Sequence, residues 1–306
     1  MDPKLKASIE KILQENPNAP MDDLSNKVQI AIDEYNNTAK NDFQGLSPQQ
    51  MYDLLRKDWG ESIISINPQK LDGSDVPFIQ QIRYFINLVN DAKEIKLTKA
   101  GYLPPSIVKD IYSQRFISDM MIELGTTKLT KETDVDNIVI MKIICIKVGL
   151  IKKQHNKISL THNAIKKMSS NDFFNKIFEI AFKKFNWAYF DPFDDEPIGQ
   201  FGNNYTLYLL YKYGVKWKKD VSYADLYFKA FPEFKMKDDG YRSLDIIYIV
   251  RTFRDILRLF EFIEYENKKI YIGNIRTTDL FRKYIEINQA CHYTAKYYIE
   301  CIRVLK

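Results

Sequence analysis

The stretch from Asp136 to Met168, DNIVIMKIICIKVGLIKKQHNKISLTHNAIKKM, decides the fold. It opens with an apolar run long enough for a buried helix. Gly149-Leu150-Ile151 makes the exit, and a short basic hairpin is expected around Gln154 to Lys157. The strand-like Ile158-Ser159-Leu160 then runs into Thr161 and a further helix. Helix, two short strands and helix is the pattern of a winged helix.

A second region repeats this order of parts. A helix is expected over 241–260, then Phe262-Ile263-Glu264, a basic tip at Glu266 to Lys269, and Ile270 to Thr277 before another helix through Ile287. Few residues are identical between the two regions. The order of periods repeats: helical, alternating, then helical with a Thr at its start. A Thr hydroxyl there can accept from an unsatisfied first-turn amide. Ile95-Lys96-Leu97-Thr98 is a partial third echo.

Upstream, residues 4–14 and 22–35 read as short helices. Ser47-Pro48-Gln49-Gln50 is a capping box, with Pro at the first helical position. Pro77 opens a helix with Ile79, Ile82, Phe85, Ile86 and Val89 on one face, and further helices are expected from Pro105 and over 114–124. The expected fold is mainly α with small β-wings: tandem winged-helix-like modules over 71–169 and 170–306, behind an N-terminal helical region over 1–70.

Composition agrees. The chain has 306 residues, 45% of them hydrophobic and 14% aromatic, enough for substantial cores. Gly 11 and Pro 11 are too few for a loop-rich all-β protein. Three cysteines make no disulfide framework, and Cys291 and Cys301 lack zinc spacing. No signal peptide and no membrane-length apolar run is evident, so a reducing cytoplasm is the expected location, with no membrane partner. Residues 1–94 carry 10 basic and 15 acidic side chains, whereas the remainder carries 35 and 25. A basic region behind an acidic front suits a nucleic-acid surface and equally suits an ordinary lysine-rich surface.

The segment Lys96-Leu97-Thr98-Lys99-Ala100-Gly101-Tyr102-Leu103-Pro104-Pro105, with Val148-Gly149-Leu150-Ile151 and Leu160-Thr161, resembles the bacterial plasmid ORF-3-like proteins. The resemblance is most specific over ten residues and patchy over about 80–170. It implies a bacterial protein associated with mobile elements, and it carries over no catalytic residue. Within the wider winged-helix superfamily, DNA binding and protein association are the implied uses.

The helix 136–148 is too apolar to read base edges, but its wing offers Lys152 and Lys153 to phosphates. In the second module Arg251, Arg254 and Arg258 stand at i, i+3 and i+7, on one face of an α-helix, with Lys268 and Lys269 on the wing. Arginine can fork to guanine or phosphate. Asp245, Asp255 and Glu261 on the same helix equally allow a salt-bridged, solvated face. Tyr205, Tyr208, Tyr211 and Tyr213 form a stripe that reads as core or as a stacking surface. The carboxylates Asp191, Asp194, Asp195 and Glu196 read as an acidic corner without calcium-loop spacing. No assembled acid, base and nucleophile is visible, so the expected function is non-enzymatic interaction without a cofactor. DNA is the first expected partner and another protein the alternative.

Overall fold

The computed structural model describes residues 2–67, 73–193, 197–235, 243–269 and 272–288. The chain is mainly helical, with three small antiparallel sheets among the described residues. It opens with α1 (Pro3–Glu15) and α2 (Met21–Asn37), a hairpin in which neither helix has a buried residue. Helix α3 (Pro48–Arg56) starts on the expected capping box. Ser47 Oγ accepts from Gln50 N at 3.2 Å, and Gln50 Oε1 accepts from Ser47 N at 2.9 Å. Strand β1 (Ile64–Ile66) follows.

The first repeat runs α4 (Pro77–Ala92), β2 (Glu94–Lys96), α5 (Pro105–Ser113), the single turn α6 (Met120–Glu123), α7 (Asp136–Lys147), β3 (Ile151–Gln154) and β4 (Lys157–Leu160). The helix expected over 114–124 is confined to 120–123, because Asp119 caps it by accepting from Met121 N and Ile122 N. Helices α8 (Ala164–Met168) and α9 (Phe173–Glu179) connect onward, and α9 continues as a π turn over Ile180–Lys184.

The second repeat runs α10 (Asn203–Tyr213), β5 (Lys218–Lys219), α11 (Asp220–Ala230), α12 (Pro232–Lys235), α13 (Leu244–Ile249), β6 (Ile263–Lys269) and β7 (Ile272–Thr277). Helix α13 continues as a π-helix over Val250–Leu257. Finally α14 (Asp279–Tyr284) gives way to β8 (Ile285–Ile287), which pairs antiparallel with β1. The helix expected through Ile287 therefore stops at Tyr284, since Ile285 is buried in that pairing.

The two repeats share their sheet order. In each, the strand between the first and second helices lies beside the last strand, which lies beside the middle one: β2-β4-β3 and β5-β7-β6. The exit of α7 and that of α13 with its π continuation, the third helix of each repeat when the single turns α6 and α12 are set aside, also repeat bond for bond. Leu150 N donates to Cys145 O, and Phe262 N donates to Leu257 O, both at 2.9 Å. The residue between helix and strand is left-handed in both, Gly149 at φ 71° and Glu261 at φ 54°. Thr161 and Thr278 each donate a hydroxyl hydrogen to that residue's carbonyl, at 2.7 Å in both. Thr278 also caps α14 by accepting from Phe281 N at 3.3 Å, as expected. Thr161 does not cap α8, whose cap position is Asn163.

One continuous core joins the repeats. Phe174, Phe178 and Phe182 lie one helical turn apart and stack along α9 and its π turn. Around Phe178 stand Trp59, Phe260, Phe262 and Tyr284, with ring centroids 4.9 to 5.7 Å away. Phe78 on α4 meets Phe260 edge-on at 5.6 Å, which ties the first repeat to the second. The tyrosine stripe of α10 is structural. Tyr205 and Tyr208 are buried, and Tyr208 and Tyr213 donate to the carbonyl and side-chain oxygens of Gln44, docking the N-terminal region.

Candidate functional site: a cleft between the repeats

A cleft of about 850 Å³ opens between the two repeats. The first repeat supplies Phe116, Asp119, Met120 and Asp136. The second supplies Trp217, Arg254, Asp255, Arg258, Glu261, Glu264 and Tyr265.

Of the three arginines expected to share one exposed face, the structure keeps two together and removes the third. Arg251 is fully buried. Its Nε donates to Asp191 Oδ2 at 2.6 Å, another nitrogen donates to Asp191 Oδ1 at 3.2 Å, and a third contact reaches Ile198 O at 3.3 Å. The cause is the π winding. An i→i+5 helix has roughly 4.4 residues per turn instead of 3.6. Arg254 and Arg258 then stay nearly one turn apart, whereas Arg251 swings roughly 115° or more away from both. Arg254 is half-buried with its guanidinium 5.8 Å from the Tyr265 ring, and Arg258 is exposed.

The wing lysines are also divided. Strand alternation puts Lys152 on the same sheet face as Lys96 and Lys157, while Lys153 shares the face of Ile95 and Ile158 and lies against Gly101. Both are exposed, and neither lines the cleft. The expected hairpin closes on His155 and Asn156, both left-handed. Lys268 and Lys269 end β6 at a register irregularity, beside residues 270–271, which lie outside the described residues. Asp194, Asp195, Glu196, Arg242, Cys291, His292, Cys301 and the segment 295–305 lie outside them too.

Helix α7 is internal, as its composition suggests. It buries Ile138, Val139, Ile140, Met141, Ile144 and Cys145. Lys142 is buried with Glu132, its ammonium 2.6 and 2.8 Å from the two carboxylate oxygens. That ammonium also donates to Gly101 O at 3.3 Å, fastening α7 to the KLTKAGYLPP segment. The polar groups that α7 leaves outside are Asp136 and Lys147, while Asn137 is half-buried.

Sequence reasoning missed the cleft's acidity. Glu264 pairs with Arg276 at 2.7 Å, and Asp119 is spent as a helix cap. The side chains of Asp136, Asp255 and Glu261 make no hydrogen bond or ion pair among the described residues. Burial pushes the Asp255 carboxyl up to about 7, and Asp191 and Asp136 add to this while Arg254 and Arg251 oppose it. Burial, then Asp119, raises Asp136, and burial raises Glu261. Asp255 is visible in the sequence as a helix-face acid, but nothing local announces that Asp119 and Asp136 meet it.

Among the described residues no group of three or more His, Cys, Asp or Glu is placed to hold a metal, and no helix is long and apolar enough to cross a membrane. No family model matches the chain, and neither the comparison with curated proteins nor that with solved structures gives a match.

Proposed function

We propose that this chain is a non-enzymatic interaction protein of two winged-helix-like modules, and that it works by protein association rather than by reading DNA. The shared strand order and the repeated third-helix exit support the winged-helix reading. The observation that carries the association reading is electrostatic. Arg254 and Arg258, the arginines that point to nucleic acid, share their cleft with five carboxylates: Asp119, Asp136, Asp255, Glu261 and Glu264. Phosphate binding gains from cations that release counterions, and a surface dominated by carboxylates forfeits that gain. Helix α7 adds no counterweight, because it presents apolar side chains and a single exposed lysine.

A basic sheet face does carry Lys96, Lys152 and Lys157, which gives a DNA reading its best remaining support. Glu94 sits on that face and pairs with Lys157. A duplex-DNA mobility-shift titration over a salt series separates the two readings. Each phosphate contact contributes about −0.9 to the log-log slope. Weak, salt-labile retention that is indifferent to sequence is expected. Tight, sequence-dependent binding that Arg254→Ala with Arg258→Ala abolishes would overturn the association reading.

A further inference from the structure

The cleft between the repeats is a cavity with an aromatic wall and more carboxylates than arginines, and it fits one kind of occupant. We infer that it takes a lysine- or arginine-bearing polypeptide segment from a partner protein. This rests on the association reading and names the partner's chemistry.

Three observations converge on a cation. Asp136 and Asp255 come from different repeats and line the same cavity, and among the described residues their side chains make no hydrogen bond or salt bridge, Asp255 feeling Arg254 and Arg251 only at longer range. Phe116, Trp217 and Tyr265 line it too; Trp217 carries the Arg276 guanidinium 4.9 Å from its ring centre yet stays 43% exposed, Tyr265 has Arg254 at 5.8 Å, and Phe116 has no cation over its ring among the described residues. An ammonium or guanidinium set between carboxylates and ring faces gains from both. The arginines in the cleft then act as a filter: they keep the site from being a general sink for cations and favour a chain that can place its positive charges away from them. The apolar side chains of Met120 and Leu259 suit the aliphatic stems of such residues.

Ionisation of Asp255 is part of the site. The charged groups around it are Asp191 and Asp136, which oppose ionisation, and Arg254 and Arg251, which favour it. A cation delivered by a partner would shift the balance toward the carboxylate, so binding strengthens as pH rises through about 7.

The test is a titration of the full chain, followed by tryptophan fluorescence, with three probes: a short lysine-rich peptide, its glutamate counterpart and a DNA duplex. Trp217→Phe identifies the signal from the cleft. The lysine peptide is expected to change the Trp217 signal, more tightly at pH 8 than at pH 6, and the glutamate peptide is not. Asp136→Asn with Asp255→Asn should weaken it by about tenfold or more. Thermal melting of this variant checks its fold. If the lysine peptide fails to bind, or binds the double variant equally well, the inference falls while the association reading stands. If the duplex binds and changes the Trp217 signal, both fall.

Discussion

The buried Arg251–Asp191 pair allows a sharp prediction, because it holds one of the second repeat's three arginines out of solvent. Both side chains are almost without solvent contact, at 0% and 2% exposure, and the guanidinium forks across the carboxylate. Asp191→Ala leaves a buried positive charge without that partner. Breaking a buried pair from one side costs about 3–5 kcal/mol, a large share of the roughly 5–15 kcal/mol of a folded domain. In a chain of this size about 2 °C of Tm accompanies each kcal/mol, so a fall of roughly 6–10 °C is expected by circular dichroism. Removing both charges behaves differently. Arg251→Met with Asp191→Leu fills the space with apolar atoms, and its stability should return to within about 1–2 kcal/mol of the parent, less the hydrogen bond to Ile198 O. An Asp191→Ala protein that melts within about 1 °C of the parent would refute the reasoning. Arg251 would then be solvated rather than held by a buried partner.

The left-handed residue after each third helix should respond in opposite directions: Gly149→Ala costs about 1 kcal/mol in urea unfolding, and Glu261→Gly gains up to about 1 kcal/mol, because only glycine holds that φ without strain. A raised carboxyl binds more protons folded than unfolded, so Asp255 lowers stability as pH climbs from about 4 through about 7. Asp255→Asn should therefore raise the unfolding free energy at pH 8 by on the order of 2 kcal/mol, read as a higher Tm, and have little effect near pH 4. Phe178→Ala should cost about 3–5 kcal/mol, since its ring stands at the junction of the repeats, and the loss of its stack on Trp59 should change the native fluorescence.

The mainly helical class and several of its elements were legible in the sequence because their signals are local. The Ser47 capping box, the Pro77 helix, the apolar run before Gly149 and the alternation around Gln154–Lys157 each depend on residues a few positions apart. The arginine face was not legible, because α and π winding differ only by one residue in the span of each backbone hydrogen bond, and the contacts that accompany the π form, Asp191 and Ile198, lie 60 and 53 residues upstream. The same distance problem hid the cleft. Asp119 and Asp136 precede Asp255 by more than a hundred residues, and the Phe78–Phe260 contact that brings their repeats together is a tertiary event. Strand β8 was read as helix for a related reason. Ile285-Glu286-Ile287 carries no strong preference, and its pairing with Ile64–Ile66 decides it.

The central claim is that the cleft's field is acidic and selects a basic polypeptide, and one variant tests it by the sign of its effect. Arg254→Ala with Arg258→Ala removes two positive charges from the cleft and leaves the five carboxylates in place. Fluorescence-anisotropy titrations with the lysine-rich peptide and with duplex DNA, at equal salt, should show the peptide bound several-fold more tightly by the variant than by the parent, with DNA binding unchanged. Weaker DNA binding by the variant, with no gain for the peptide, would contradict the account.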